Sequence, residues 1–186
     1  MLVYTTAHSD EDLSGILALQ KRNLHQSLSP EERLQQGFVT VSHSLEQLRE
    51  LNRIEPHVIA RDGNTIAGYL LAMTTQSRDD IPVLVPMFDT FDQIIFRDKA
   101  VSAYRYIVVG QVCIDAAYRG QGVLDRCYEA YRDHYRGRYD FAITEIDARN
   151  GRSLNAHKRI GFKEIHRFTE WVVVLWDWTA SIENDK

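Results

Sequence analysis

Residues 104–136 read YRYIVVGQVCIDAAYRGQGVLDRCYEAYRDHYR, and this stretch decides the fold. Its beginning is rich in β-branched and apolar residues, which predicts a strand over 106–114. A glycine-rich turn, Arg119-Gly120-Gln121-Gly122, follows the strand. From Val123 to Arg136 apolar residues recur at helical spacing, so the stretch predicts a strand, a tight turn and a helix in that order.

This order of elements is a geometry that binds phosphate groups. The first N–H groups of a helix lack intrahelical partners, and the helix dipole favours an anion there. The glycines let the backbone approach a ligand because they carry no Cβ, and Arg119 adds a positive charge. Neither the P-loop pattern nor the dinucleotide fingerprint is present. The turn alone therefore fits a phosphate site and an ordinary strand-to-helix connection equally well.

Composition and charge narrow the class of protein. The chain has 186 residues, 44% of them hydrophobic and 26% charged, and we expect one soluble domain over residues 1–186. A net charge of −4 argues against non-specific nucleic-acid binding. No apolar run approaches the roughly 18 residues that span a bilayer, and no signal peptide is recognisable. Cys113 and Cys127 lack metal-ligand spacing, so we expect reduced thiols, no metal and a cytoplasmic protein.

The rest of the sequence predicts an alternation of strands and helices. Strands are predicted at 2–6, 57–61, 65–75 and 139–148, with one or two more within 163–178, and helices at 9–23, 29–36, 44–54 and 150–160. Residues 38–41 read as extended, Gly68 indicates a bulge or a close backbone approach, and residues 181–186 read as a polar tail. The segment 87–94 is a candidate short helix, which either overhangs a site or is a surface excursion with buried aromatic residues.

A second motif, NGRSLNAHKRIGF, spans residues 150–162. On a helix, positions separated by three and four residues share a face, so Asn150, Ser153 and His157 point the same way. Taken alone, the segment also fits a capped helix with a solvated histidine.

In this order and spacing, the two motifs resemble those of the GNAT superfamily of N-acyltransferases, most clearly over residues 104–162. The residues that carry the resemblance are Arg119-Gly120-Gln121-Gly122 after a strand and then Asn150, Ser153, His157 and Gly161-Phe162. The resemblance implies an α/β (α+β) fold, with a mixed, mostly antiparallel sheet that splays open and is flanked by helices. It also implies acetyl-CoA as co-substrate, bound between the strand ending near Ile114 and the strand ending near Ala148.

The same resemblance implies how the chain holds acetyl-CoA. Backbone N–H groups of the turn would bind the pyrophosphate, the end of the central strand would pair with the pantetheine arm, and the later helix would contact both. The implied cofactor-binding residues are Val112, Cys113, Ile114, Arg119, Gly120, Gln121, Gly122, Val123, Leu124, Asn150 and Ser153. Leu124 stands where the family has a small residue, and it also belongs to the apolar stripe of the helix.

Two residues are predicted to be catalytic. His157 matches a position where the family often has a tyrosine, which is thought to donate a hydrogen bond or a proton to the departing CoA sulfur. A neutral imidazole N–H could donate a hydrogen bond there as well. The alternative is that His157 has a structural role. The base that takes a proton from the amine is predicted to be Glu145. The other candidate carboxylates are Asp147, Asp115, Asp89 and Asp92. Cys113 could carry the acetyl group as a nucleophile, but a packing role is favoured.

The predicted function is transfer of an acetyl group from acetyl-CoA to a primary amine of a small molecule, by direct attack in a ternary complex. The alternatives are a protein or peptide N-acetyltransferase and a non-catalytic acyl-CoA-binding regulatory module. An exposed acidic or aromatic groove formed by 24–43 and 86–96 would favour a peptide or polyamine acceptor. The tryptophan-rich end fits either a homodimer surface or plain core.

Overall fold

The computed structural model describes residues 1–79 and 81–179, with backbone alone at 34–36; the polar tail predicted at 181–186 lies outside the described residues. The strands are β1 (Leu2–Thr6), β2 (Val58–Asp62), β3 (Thr65–Met73), β4 (Ile95–Phe96), β5 (Lys99–Ala100), β6 (Tyr106–Ile114), β7 (Phe141–Asp147), β8 (Lys163–Phe168) and β9 (Trp171–Asp177). The α-helices are α1 (Asp10–Asn23), α2 (Pro30–Gln36), α3 (Leu45–Ile54), α4 (Val85–Gln93), α5 (Val123–Tyr135) and α6 (Gly151–Ile160). The predicted helices and main strands are therefore present, with shifts of a few residues at their ends.

Seven strands form one sheet in the order β1-β2-β3-β6-β7-β9-β8. Every neighbouring pair is antiparallel except β6 and β7, which are parallel and are connected through α5. The two short strands β4 and β5 pair with each other in a separate hairpin. This confirms the predicted mixed, mostly antiparallel sheet.

The parallel pair comes apart in the middle of the sheet. β6 and β7 are in register only at Tyr106–Phe141, Ile107–Ala142 and Val108–Ile143. Just beyond, the Thr144 hydroxyl donates to the Val109 carbonyl at 2.7 Å. The two strands then continue to Ile114 and Asp147 without pairing with each other, so a gap opens between their carboxyl ends.

The sheet carries one apolar core on the face of α5 and two on the opposite face, where one lies under α4 and the other under α1 and α3. On one face α5 buries a stripe at helical spacing, formed by Cys127, Tyr128, Tyr131 and Tyr135, and Trp178 joins the same core. On the other face α4 packs its aromatic side chains against β6 and β7. Phe88 and Phe91 are 1% and 0% exposed, so the helix in the 87–94 segment carries buried aromatic residues.

Local sequence signals place most of the helix ends. Ser9, Ser29 and Ser44 each form a capping box with a residue three positions later, and Gly37 ends α2 at a φ of 72°. Residues 38–41 form no strand; instead Val39 makes an isolated parallel bridge with Leu24. None of the helices in the described ranges is long and apolar enough to cross a membrane.

Gly68 confirms the predicted close backbone approach. The register of β2 and β3 shifts beside it, and a Cβ added at Gly68 would lie 2.5 Å from the Ile114 side chain. The end of β6 can therefore pack tightly against β3 while its other edge faces the gap.

Candidate active site

A pocket of about 570 Å³ lies at the gap between β6 and β7. It runs from the end of β6 and the turn before α5 to one face of α6. The residues around it are Asn23, Gly37, Phe38, Val39, Val112, Cys113, Ile114, Tyr118, Arg119, Gly120, Gly122, Val123, Leu124, Asp125, Asn150, Arg152, Ser153, Asn155, Ala156, His157 and Arg159.

The turn before α5 has the backbone that an anion site requires. Gly120 and Gly122 have φ values of 72° and 76°, in the left-handed region that favours glycine. No heavy atom lies within 4 Å of the position that a Cβ would take at either glycine. Gly122 is the N-cap of α5 and no side chain caps the helix there, so its first N–H groups are available to a ligand.

The Arg119 side chain stabilises this turn through hydrogen bonds to two other elements. Its Nε donates to the Ile114 carbonyl at 2.9 Å, and its Nη2 donates to Asn23 Oδ1 at 2.8 Å. Asn23 is the last residue of α1 and is only 7% exposed. The Arg119 side chain therefore joins the end of β6 to the end of α1, a positioning role that the sequence analysis did not predict.

The structure brings together nearly all of the predicted cofactor-binding residues. Every one of them lines the pocket except Gln121, whose side-chain amide donates to the Ala117 carbonyl at 2.8 Å. Leu124 lines the pocket and also packs against the α5 core, so its larger side chain is partly accommodated by the core.

The segment Gly37–Val39 forms a wall of the pocket that the sequence analysis missed. The Asn150 amide Nδ2 donates to the Phe38 carbonyl at 3.3 Å, and the Phe38 ring meets His25 edge-on at 4.8 Å. A Cβ at Gly37 would lie 3.1 Å from Asn150 Oδ1, so glycine allows this approach. No local pattern could have revealed this wall, because it depends on contacts between remote segments.

On α6, the three predicted polar residues share one face as expected. Asn150 caps the helix by accepting from the Ser153 N–H at 3.2 Å. His157 lines the pocket but is 2% exposed, with Nδ1 at 2.8 Å from the Ser153 carbonyl and Nε2 at 2.6 Å from the Tyr128 hydroxyl. Burial lowers the pKa of His157 to about 4, so the ring is neutral at pH 7.

Glu145 lies on β7 on the face opposite α5. Strand alternation puts it on the side of Phe141 and Ile143, which pack toward α4. Its Oε2 is buried without a hydrogen-bond partner, and burial raises the pKa of Glu145 to about 7. Glu145 does not line the pocket, so the structure separates the two residues predicted to be catalytic.

The other candidate carboxylates all have basic partners. Asp147 pairs with Arg149 at 2.6 Å, and the hydrogen bonds from Arg149 lower its pKa. Asp115 pairs with Arg22 at 2.7 Å. The two acidic residues of α4, Asp89 and Asp92, both pair with Arg78. Among the five candidates, Glu145 is thus the one without an ion pair to a described residue.

The two cysteines are buried and free. Burial raises the pKa of Cys113 and of Cys127 to about 12, so each is a thiol at neutral pH and a poor nucleophile. Within the described part of the chain, no group of three or more His, Cys, Asp and Glu side chains is placed to hold a metal ion.

Residues 20–162 match the model of the acetyltransferase (GNAT) family. A chain of the NatC complex, solved with Gag peptide and CoA, is 17% identical with a TM-score of 0.63, over 95% of this chain and 98% of that chain. The ribosomal-protein-S18-alanine N-acetyltransferase from Escherichia coli is 12% identical with a TM-score of 0.61, over 95% and 94%. A spermidine N-acetyltransferase SpeG chimera from Vibrio cholerae and hSSAT is 12% identical with a TM-score of 0.60, over 98% of this chain and 99% of that chain. No curated protein sequence matches this chain.

Proposed function

We propose, from the premise that this chain belongs to the GNAT acetyltransferase family, that it transfers the acetyl group of acetyl-CoA to a primary amine of a small molecule. The observation that carries the proposal is the pocket at the gap between β6 and β7, which joins the turn at Gly120 and Gly122 to the polar face of α6. Both substrates would be bound together, so that the amine attacks the thioester directly.

The residues around the pocket fit the coenzyme. The left-handed glycines leave a cradle that a Cβ would fill, and the uncapped start of α5 supplies N–H donors to a diphosphate. At Val112 and Ile114, the edge of β6 that faces β7 has no neighbouring strand, so the backbone groups on that edge can pair with an amide-containing arm, although the Ile114 carbonyl also accepts from Arg119. Acetyl-CoA supplies the activated acetyl group, and the protein supplies position and electrostatics.

Glu145 is our candidate for the base. An amine must lose a proton to form the amide, and a carboxylate with a pKa of about 7 can accept it near neutral pH. Glu145 lies on the opposite sheet face from α5, so the acceptor would approach from that side. We call this the acceptor side and define it as Glu145 with the segments 24–43 and 77–103.

In the proposed reaction, α6 supplies the residues near the departing CoA sulfur. The resemblance assigned His157 as the donor to sulfur, and this role stays a prediction, because both ring nitrogens contact groups within the protein. A neutral ring excludes proton transfer from an imidazolium at pH 7 as the main route.

The acceptor side favours a small amine over a peptide or a polyamine. Its α4 residues offer no exposed aromatic groove, because Phe88 and Phe91 are core residues. Its acids Asp89 and Asp92 are already paired with Arg78 and so are poorly suited to hold a polycation. The solved relatives named for protein and spermidine acceptors are all less than 25% identical, so they support the shared fold and not a particular acceptor.

Thermal unfolding with and without acetyl-CoA tests the binding half of the proposal. A ligand at about 100 times its dissociation constant should stabilise the protein by roughly 2.7 kcal/mol. A panel of small amines and peptide N-termini, with release of free CoA thiol as readout, then tests the transfer half. No stabilisation by acetyl-CoA would refute the proposal, and stabilisation without thiol release on the whole panel would favour the regulatory module.

A single domain over residues 1–186, a cytoplasmic location and a homodimer stay predictions. Trp178 is buried at 5% exposure, and Trp176 packs against Tyr128 and Phe162, so much of the tryptophan-rich end belongs to the core.

A further inference from the structure

We propose that the hydroxyl of Ser153, and not the ring of His157, donates the hydrogen bond that stabilises the sulfur as it leaves the acetyl group. This inference rests on the proposed acetyl transfer and assigns one further residue to it. It follows from the hydrogen bonds around His157, which decide where each hydrogen lies.

The first step concerns the ring of His157. A carbonyl oxygen can only accept, so the 2.8 Å contact between Nδ1 and the Ser153 carbonyl places the hydrogen on Nδ1. In the neutral ring Nε2 then has a lone pair, which accepts from the Tyr128 hydroxyl at 2.6 Å. Both ring nitrogens are therefore used inside the protein, and no ring N–H remains for a ligand.

The second step concerns the free energy that is lost if the His157 ring turns toward the pocket. Tyr128 is 0% exposed, and its hydroxyl would lose its acceptor if the ring turned toward the pocket. The Ser153 carbonyl would lose the hydrogen bond from Nδ1 but would keep the helical N–H of residue 157 as a donor. A buried hydroxyl left without a partner costs about 1–3 kcal/mol, so the observed orientation is preferred.

The third step concerns Ser153 itself, which lines the pocket. Helical side chains lean toward the helix N-terminus, so residue 157 ends beside Ser153, as the 3.3 Å distance between Nδ1 and Ser153 Oγ shows. Since Nδ1 carries the hydrogen, Oγ can only be an acceptor in that contact. The hydroxyl hydrogen has no acceptor among the contacts described for Ser153, and it can rotate toward a ligand.

The chemistry needs one donor at this position. As the amine nitrogen bonds to the acetyl carbon, the C–S bond breaks and its electron pair stays on sulfur. The Ser153 O–H donates a hydrogen bond to the sulfur and keeps its proton, the proton of the amine goes to Glu145, and water later protonates the thiolate. A donor of this kind acts where negative charge develops, as in an oxyanion hole.

Replacing the serine tests the assignment. Ser153→Ala should lower kcat for thiol release, with acetyl-CoA and the best amine of the panel, by roughly 100-fold. Because Ser153 also lines the coenzyme pocket, stabilisation by CoA should fall far less than kcat does, and Ser153→Thr, which keeps the hydroxyl, should restore most of the rate. Ser153→Ala with wild-type kcat would overturn the inference while leaving acetyl transfer intact. If acetyl-CoA neither binds nor releases thiol in the wild type, both proposals fail.

The state of His157 can be measured without turnover. In the wild-type protein with CoA, the nitrogen chemical shifts of the His157 side chain should show hydrogen on Nδ1 and a hydrogen-bonded, unprotonated Nε2 at pH 7. Hydrogen on Nε2 in the CoA complex would restore His157 as the donor and overturn the inference.

Discussion

The cofactor side of the gap and the acceptor side are built in different ways. The cofactor side, residues 106–124 and 150–162, consists of strand ends, a glycine turn and helix starts whose parts are close in sequence. The acceptor side is held by polar side chains from remote segments. Gln20 on α1 donates to Gln111 on β6 at 2.7 Å, and Gln111, which belongs to the cofactor side, donates to the carbonyl of Val41 on the acceptor side at 2.8 Å. A backbone-built site can be read from sequence, whereas a site assembled from distant side chains cannot.

The two sides also differ in the polar groups that they offer to a ligand. The start of α5 presents uncapped N–H groups to a ligand. The acceptor side instead buries neutral groups: desolvation lowers the pKa of His43 to about 4, and burial raises that of Glu145 to about 7. In the proposed function, one side would bind a phosphate anion, and the other would supply a carboxyl group that exchanges a proton near neutral pH.

The largest effect should come from the acceptor side. Glu145→Gln removes the only candidate carboxylate without a basic partner among the described residues, so we expect kcat to fall by roughly 100-fold or more. Stabilisation by acetyl-CoA should not change, because Glu145 does not line the pocket. Asp89→Asn, which removes a carboxylate paired with Arg78, is the control and should leave kcat within about twofold. Equal kcat in both variants would remove Glu145 from the mechanism.

The pH profile is expected to report the same group. Because burial raises the pKa of Glu145 to about 7, the basic carboxylate is lost as the pH falls, and kcat should drop about tenfold per pH unit below about 7. The buried histidines do not account for a fall in kcat that begins near pH 7, which we call the acidic limb of the profile. Burial lowers the pKa of His43 and of His157 to about 4 and that of His57 to about 3. The limb should be absent in Glu145→Gln. Its persistence there would mean that another group accepts the proton.

On the cofactor side, two glycines of similar conformation allow a matched test. Gly122→Ala and Gly63→Ala place a Cβ at φ values of 76° and 58°, and each should cost about 1–2 kcal/mol of stability. Only Gly122 lies at the pocket, so only Gly122→Ala should weaken CoA binding, by about tenfold, or roughly 1.4 kcal/mol. Calorimetric titration with CoA measures the difference. Equal affinity in both variants would show that the turn is not the diphosphate site.

The smallest expected effect lies where the two sides meet. Asn150→Asp keeps the α6 cap but loses the amide donor to the Phe38 carbonyl, which loosens the Gly37–Val39 wall. We expect KM for the amine to rise roughly fivefold, equivalent to about 1 kcal/mol, with a loss of stability similar to that of the control described below.

Asn52→Asp is the matched control for this variant. Asn52 also bridges two backbone groups, donating to the Ala7 carbonyl at 3.0 Å and accepting from the His57 N–H at 2.8 Å, but it does not line the pocket. It should lose stability without a change in KM. An unchanged KM in Asn150→Asp would mean that the wall does not affect the acceptor.

Much of the cofactor side was predictable because its signals are local. The capping serines, the glycine turn and the spacing of Asn150, Ser153 and His157 are read within a few residues of where they act. The hydrogen bonds of His157 were not predictable, since its partner Tyr128 lies on another helix. For the same reason, Asn23 and Phe38 were missed as pocket residues, because they reach the pocket through contacts with Arg119 and Asn150.

By itself, the sequence determined the order of the elements and the position of the glycine turn, because periodicity, capping and glycine conformation are properties of neighbouring residues. The divided sheet was expected only from the resemblance to the GNAT superfamily. Only the tertiary structure decided which carboxylate stays unpaired and which polar hydrogen on α6 remains available. Those outcomes depend on which side chains from distant segments meet when water is excluded. The pairing of Asp147, Asp115, Asp89 and Asp92 with arginines, and the absence of such a pair at Glu145 within the described residues, is a property of the folded chain alone.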